Sequence, residues 1–197
     1  MHPLINILIR THRRPNGFKR CLRSIVNQKY PNIRVIIACD EYCDYVPKQL
    51  EIIQVTANRE LPYFYDCYCN NLKAQVTDGW FLFFDDDDVL VDNVLNEIEF
   101  DAPAILVQLR RGDYICPQGL DFRRGLIGMP CLILHHSLKD LADIPGTGQG
   151  DYFWIKKVCD NLSVKFVPKV VVQSFSRGLG KPELNSFQNS QTVILNR

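Results

Sequence analysis

The sequence predicts an α/β fold with a mostly parallel central sheet flanked by helices, and three observations carry that expectation. Apolar runs of strand length alternate with helical periodicity from residue 4 onward. One of them, Trp80-Phe81-Leu82-Phe83-Phe84, is apolar at every position, as a strand buried on both faces of a parallel sheet must be. The runs end in polar and charged residues on their carboxyl sides, where ligands gather in open sheets of this kind. Thr11, Arg14, Asp40, Arg59 and the four consecutive acids Asp85, Asp86, Asp87 and Asp88 are therefore expected to converge on one crevice.

Residues 4–9 read as the first strand. Phe18, Cys21, Leu22, Ile25 and Val26 then lie at i, i+3, i+4, i+7 and i+8, one face of an amphipathic helix ending near Gln28. Tyr30-Pro31-Asn32 breaks it, and residues 33–39 form a second strand, completing one right-handed crossover unit. A third short strand spans 52–55. Tyr65, Tyr68, Cys69, Leu72 and Val76 repeat at helical spacing before the strand that carries the acids. Beyond Val91 a helix is expected over 92–100 with Asp92 as its N-cap, ended by Pro103. Residues 104–109, 129–134, 164–167 and 170–172 read as strands and 138–142 as a helical turn, while Asp151 opens a helix that continues through Leu162. The polar segment from Ser174 reads as a tail, 174–197.

At 197 residues the chain is expected to be one domain with a substantial core. With 46% apolar and 23% charged residues it is globular, and a formal net charge of +1 gives no electrostatic reason to expect a nucleic acid or an anionic membrane as partner. No stretch approaches the ~20 apolar residues of a membrane span. The apolar run at 4–9 is shorter than a signal-peptide core and is followed, not preceded, by Arg10, Arg13 and Arg14, so a soluble cytoplasmic chain is expected. Of the eight cysteines, Cys39, Cys43, Cys67 and Cys69 invite a zinc reading, but the paired CxxC spacing is missing and reduced core thiols are the expectation.

The acid run carries the chemistry. Four adjacent carboxylates repel one another, so packing them at a strand end costs stability unless a cation or hydrogen-bond donors meet them. Hard oxygen ligands suit Mg²⁺ or Mn²⁺, which in turn hold phosphates. The plain alternative is an acidic turn in solvent that caps a following helix. The glycine-rich turn of a nicotinamide-binding domain is absent after the first strand, and so is a P-loop. Asp85-Asp86-Asp87-Asp88-Val89 also fits the D-x-D-x-V pattern of haloacid dehalogenase-like phosphohydrolases, though those place that strand first in the chain.

A wider resemblance accounts for more of the chain. Residues 7–14, the stretch Ser24-Ile25-Val26-Asn27-Gln28-Lys29-Tyr30, the strand ending at Asp40-Glu41, then Asn70, Ala74, Gly79 and the run to Asp88, and finally Gly150-Asp151-Tyr152, resemble in order the signature of family 2-like GT-A glycosyltransferases. The resemblance covers about residues 4 to 162. It implies a Rossmann-like GT-A domain over 1–173, with a nucleotide-binding half at 1–91 and an acceptor half at 92–173 that bears a small mixed sheet. Thr11, His12 and Arg14 would line the nucleotide pocket, Asp40 would accept a hydrogen bond from the base, and Asn70, Asp85 and Asp86 would also serve the nucleotide-sugar. Asp87, with Asp85, would hold Mn²⁺ or Mg²⁺, and Asp151 would be the catalytic base.

The implied reaction moves a sugar from a nucleotide-sugar, a UDP-sugar favoured, to a hydroxyl of a glycan or glycoprotein acceptor with inversion. This sequence has His12-Arg13 where the family has Tyr-Asn, a single acid at Gly150-Asp151 where it has a pair, and no histidine near 173–177 where some members supply a further metal ligand. A Mg²⁺-dependent phosphohydrolase and a non-catalytic nucleotide-sugar-binding module remain as alternatives. His135-His136 at the end of an apolar strand are expected near the acceptor or merely satisfied there, and not as ligands.

Overall fold

The computed structural model describes residues 2–11, 14–39, 47–56 and 64–175. Its strands are β1 (Ile5–Thr11), β2 (Ile33–Cys39), β3 (Glu51–Thr56), β4 (Trp80–Asp85), β5 (Asp88–Leu90), β6 (Ala104–Arg111), β7 (Tyr114–Cys116), β8 (Leu132–His135) and β9 (Lys165–Ser174). The helices are α1 (Pro15–Val26), α2 (Phe64–Ala74) and α3 (Gly150–Asn161). One sheet runs in the order β3-β2-β1-β4-β8-β6-β9-β5, with β7 hairpinned onto β6.

The first half, β3-β2-β1-β4, is wholly parallel, and all four strands end on one rim. β1 and β4 lie at its centre, where Ile7, Leu8, Ile9, Phe81 and Leu82 are completely buried. The continuous apolar runs have this cause: a central strand has no solvent face on which to alternate. Past β4 the pairing becomes antiparallel to β8 and then mixed through β6, β9 and β5. The mixed strands expected as a small acceptor-side sheet thus continue the main sheet instead of forming a second layer.

Helix α1 starts with Pro15, whose fixed φ and missing N–H suit the first turn. Phe18, Cys21, Leu22 and Ile25 are buried on the sheet as the periodicity predicts. A second stripe on α1 meets the segment that follows β4. Gly17 lies so near the acid turn that a Cβ there would come within 3.1 Å of the Asp86 carbonyl oxygen. Arg20 donates to the Asp87 carbonyl (3.1 Å), the Ser24 hydroxyl accepts from the Leu90 amide (3.0 Å), and Gln28 just beyond the helix donates to the Val91 carbonyl (2.9 Å). Residues 17, 20, 24 and 28 recur at helical spacing, so one face of α1 tracks the chain from 86 to 91.

That contact explains the main departure from the sequence reading. The helix expected over 92–100 is a short 3-10 turn, Val94–Glu97, and Asp92 is not its cap. Asn93 takes a left-handed φ of 54°, and its Oδ1 accepts from the Lys29 amide (3.0 Å), so α1 draws the chain into a turn where a helix would otherwise begin. The two segments expected at 164–167 and 170–172 are one strand, β9, whose register against β6 slips around Gln108, opposite the stretch containing Pro168. Proline lacks the N–H a regular ladder needs. Ser174 belongs to β9, not to a tail, and β7 had no signal in the sequence beyond its hairpin glycine. Helix α3 begins at Gly150 with Gln149 as its cap, which puts Asp151 in the first turn. Residues 129–134 divide into a 3-10 turn and β8.

His135 pairs with Trp80, the first residue of β4, so both histidines lie at the rim opposite the acids. Of the two expectations for them, this placement fits side chains satisfied at the strand end, away from the acids. They serve the turn before β4: the His136 amide donates to the Gly79 carbonyl (2.9 Å), and the ring of His135 packs edge-on to Trp80 at 4.6 Å. Asn6 on β1, fully buried, donates to the carbonyls of Asp78 (2.7 Å) and Trp80 (3.1 Å) and fixes the same turn. Among the described residues no helix is long and apolar enough to cross a membrane.

Gly79 holds φ +72°, and a Cβ there would stand 2.3 Å from the Leu4 carbonyl oxygen, the acceptor of the Trp80 amide. Gly79→Ala therefore meets backbone strain and a clash together, and it is expected to cost more than about 3 kcal/mol. Urea unfolding with an unchanged midpoint would contradict this account of the turn.

Candidate functional site

The acids stand at the carboxyl end of β4, the strand at the centre of the sheet. β4 ends with Asp85, Asp86 and Asp87 make a turn, and β5 starts at Asp88. The turn gives the four side chains different surroundings, with Arg14 shared between Asp86 and Asp87.

Arg10 is the β1 residue in register with Asp85, and its Nε donates to Asp85 Oδ1 at 2.7 Å. The Thr11 hydroxyl donates to Asp86 Oδ2 (2.9 Å), while Arg14 Nη1 reaches Asp86 Oδ1 (2.7 Å) and Asp87 Oδ2 (2.8 Å). Asp86 is only 3% exposed and Asp88 2%, which excludes an acidic turn lying in solvent. No helix follows for such a turn to cap. One oxygen each from Asp85, Asp87 and Asp88 lies within 4.8 Å of the others, a spacing that one ion can bridge. Asp88 Oδ1 is buried without a hydrogen-bond partner, and its side chain also bonds Ser174. A buried oxygen lone pair left without a donor, facing two further carboxylates, fits a divalent cation.

Electrostatics separates the four. Burial works to raise Asp85, but the charge and hydrogen bond of Arg10, with Arg14 and Arg111 beyond, outweigh it and hold the carboxyl below the usual range. Burial pushes Asp86 up to about 7 against the pull of Arg14 and Thr11, with Asp87 and Asp85 adding to the rise. Asp88 is pushed up to about 8 by burial and by Asp85, with the Ser174 hydrogen bond and Arg111 opposing. Two paired arginines thus do not neutralise four acids, and the site holds protons that a metal would displace.

Asp151 comes to this rim from α3. Its Oδ1 accepts from the Tyr152 amide (2.7 Å). Burial raises its pKa, Asp85 adds to the rise, and Arg10 and Arg111 oppose it, so Asp151 lies within electrostatic reach of the β4 acids and their arginines. Helix α2 steadies the approach to α3. Asn70 brackets Ile144, donating to its carbonyl and accepting from its amide at 3.0 Å each. Lys73, one turn on and 3% exposed, donates to the Ala142 carbonyl (2.8 Å) and to Asp143 (2.9 Å).

The structure therefore brings together Thr11, Arg14, Asp85, Asp86, Asp87 and Asp151. It places Asn70 against the 142–144 backbone, with both ends of its amide engaged there. His12 and Asp40 lie outside the described residues, as do Arg59 and Cys43; Cys39 and Cys69 are buried. Sequence reasoning places Asp88 at the crevice without a ligand role, and it misses Arg10 and Arg111 as parts of the site. A charged residue closing an otherwise apolar strand was a readable signal for Arg10, whereas Arg111 became visible only through strand order. A depression lined by Tyr30, Trp80 and Phe100 lies at the other rim, away from this chemistry.

No protein-family model matches the chain, and no curated protein matches it at a significant level. Solved structures do resemble it. TarS from S. aureus superposes with a TM-score of 0.73 at 16% identity, over 88% of this chain and 37% of that one. TarS 1–349 in complex with UDP-GlcNAc gives 0.69 at 15% identity, over 91% and 60%. The mannosyltransferase PcManGT from Pyrobaculum calidifontis, in complex with GDP-Man and Mn²⁺, gives 0.60 at 16% identity, over 88% and 57%. The chain thus spans between about a third and three fifths of the proteins it resembles, and at this identity what it shares with them is a mixed α/β, Rossmann-like fold found in nucleotide-sugar-bound proteins.

Proposed function

We propose that the chain is a metal-dependent glycosyltransferase that takes a sugar from a nucleotide-sugar, a UDP-sugar in the first instance, to a hydroxyl of a glycan or glycoprotein acceptor with inversion. One observation carries this reading: a three-carboxylate cluster at the carboxyl end of β4 faces a separately presented acid, Asp151. The likeness to proteins solved with UDP-GlcNAc, or with GDP-Man and Mn²⁺, supports the donor class.

Asp85, Asp87 and Asp88 would hold Mn²⁺ or Mg²⁺, which supplies Lewis-acid stabilisation of the negative charge on a departing diphosphate. Thr11 and Arg14 stand beside the acids and keep Asp86 in place; the pocket would extend to His12, Asp40 and Asn70. Asp151 would accept the proton of the acceptor hydroxyl as its oxygen bonds to the anomeric carbon and the bond to the diphosphate breaks. A raised pKa suits a carboxylate to that task. The phosphohydrolase alternative places this strand first in the chain, whereas β4 follows three others.

Calorimetric titration with UDP-, GDP- and dTDP-sugars, with Mn²⁺ and with EDTA, tests the reading. One nucleotide class is expected to bind only with metal, and Asp87→Ala is expected to weaken it ~100-fold or more. Equal binding in EDTA, or none to any donor, would remove the proposal. Asp151→Asn is expected to slow transfer by ~10² to 10⁴-fold with donor affinity unchanged. Donor binding by the unaltered protein with no transfer to any acceptor, and no donor hydrolysis, would favour a binding module.

The site also has a pH signature. Asp86 and Asp88 titrate near 7 and 8 when folded and near the ordinary carboxylate value when unfolded. Between those values the folded chain binds more protons than the unfolded one, so metal-free stability falls as pH rises from about 5 to about 8. Asp85, depressed, is already ionised across that window and does not offset the fall. The melting temperature in EDTA is expected to drop by several degrees over the interval and to recover with Mn²⁺ mainly at the alkaline end. A metal-free melting temperature that rises over this interval would contradict the charge balance described above.

A further inference from the structure

We propose that Arg111 receives the terminal phosphoryl group of the donor's diphosphate, an inference that rests on the nucleotide-sugar reading above. Arg111 closes β6. In the ladders it lies opposite Ser174 of β9, and Ser174 lies opposite Asp88 of β5, so the three form one row across the sheet and share a face. The row ends at the candidate metal cluster, where Ser174 bonds Asp88.

The arginines of this rim are used differently. Arg10 and Arg14 each hold a carboxylate at 2.7 Å. Arg111 makes no hydrogen bond or ion pair among the described residues, and its Nε is buried without an acceptor. It is nonetheless close enough to Asp85, Asp88 and Asp151 to favour the ionised form of all three. One of its terminal nitrogens would lie 3.9 Å from a Cβ on Gly128, so the guanidinium borders that glycine at ordinary contact distance.

A buried donor lacking an acceptor, within electrostatic reach of both the candidate metal cluster and the proposed base, has the chemistry of a phosphoryl contact. A guanidinium meets phosphoryl oxygens with paired N–H groups, a geometry a lysine does not reproduce. When the bond from the anomeric carbon to the diphosphate oxygen breaks, its electron pair stays on that oxygen. Arg111 would then donate hydrogen bonds to the growing charge without giving up a proton.

The test compares wild type, Arg111→Gln, Arg111→Lys and, as a charge control, Arg124→Gln, whose guanidinium lies over the rings of Tyr152 and Phe153, in Mn²⁺, titrated with UDP and UMP, and with GDP and GMP in parallel. Wild type is expected to bind the diphosphate of the preferred base more tightly than its monophosphate. Arg111→Gln is expected to lose about tenfold or more for the diphosphate and little for the monophosphate, with Arg111→Lys between them and Arg124→Gln like wild type. If Arg111→Gln fails to fold, Arg111→Lys carries the comparison, because it keeps the charge and loses the fork. A wild type that binds no nucleotide overturns the nucleotide-sugar reading itself. Wild-type binding with the diphosphate preference intact in both Arg111 variants overturns only the role of Arg111. The same holds if the sole change is a higher KM for an anionic acceptor, which would assign the guanidinium to that substrate instead.

Discussion

Four carboxylates on consecutive residues at the end of a buried strand set the terms for the surrounding structure. Each buried, unpaired charge would cost several kcal/mol, and the chain meets that cost by dividing the four among different partners. Arg10 and Thr11 come from the neighbouring strand, Arg14 from the residue before α1, and Ser174 from the far side of the sheet. The site is therefore assembled from both halves of the chain. The division is incomplete, and the remaining negative charge, with the orphaned oxygen of Asp88, is what a divalent ion would complete.

The two halves of the sheet serve this arrangement differently. The parallel half gathers strand ends on one rim, as any crossover architecture does. The mixed half brings back residues far along the chain, and β9 joins β6 to β5 so that Arg111 and Asp88 fall in one row. Helix α3 presents Asp151 to the same rim, and the α2 residues Asn70 and Lys73 hold the preceding segment by its backbone. Lys73 shows why such a clamp is tolerated: its ammonium is buried, but a carbonyl and a carboxylate oxygen satisfy it.

Much of the parallel half was legible in the sequence because its strands are buried on both faces and its helices show a clean apolar face. β1, β2, β4 and α1 fall where run length and periodicity put them. The convergence of Thr11, Arg14, Asp85, Asp86 and Asp87 was legible too, since it follows from strand ends sharing a rim. What could not be read was set by contacts between distant segments. The capacity of 92–100 for helix lost to Asn93 and the end of α1, and the histidines moved to the opposite rim because β8 runs antiparallel to β4. No local pattern singles out Arg111, because nothing local reveals that β9 will carry its row to Asp88.

The stripe on α1 also bears on association. β5 is the last strand of the sheet, three residues long, and an edge strand with exposed N–H and C=O groups invites pairing with another chain. Here the Leu90 amide is taken by the Ser24 hydroxyl and the Val91 carbonyl by the Gln28 amide. A helix thus satisfies with side chains the groups that a further strand would satisfy with backbone. Among the described residues, two groups at this end of the sheet are thereby withdrawn from pairing with a neighbouring copy, and the short strand that carries Asp88 is held to α1.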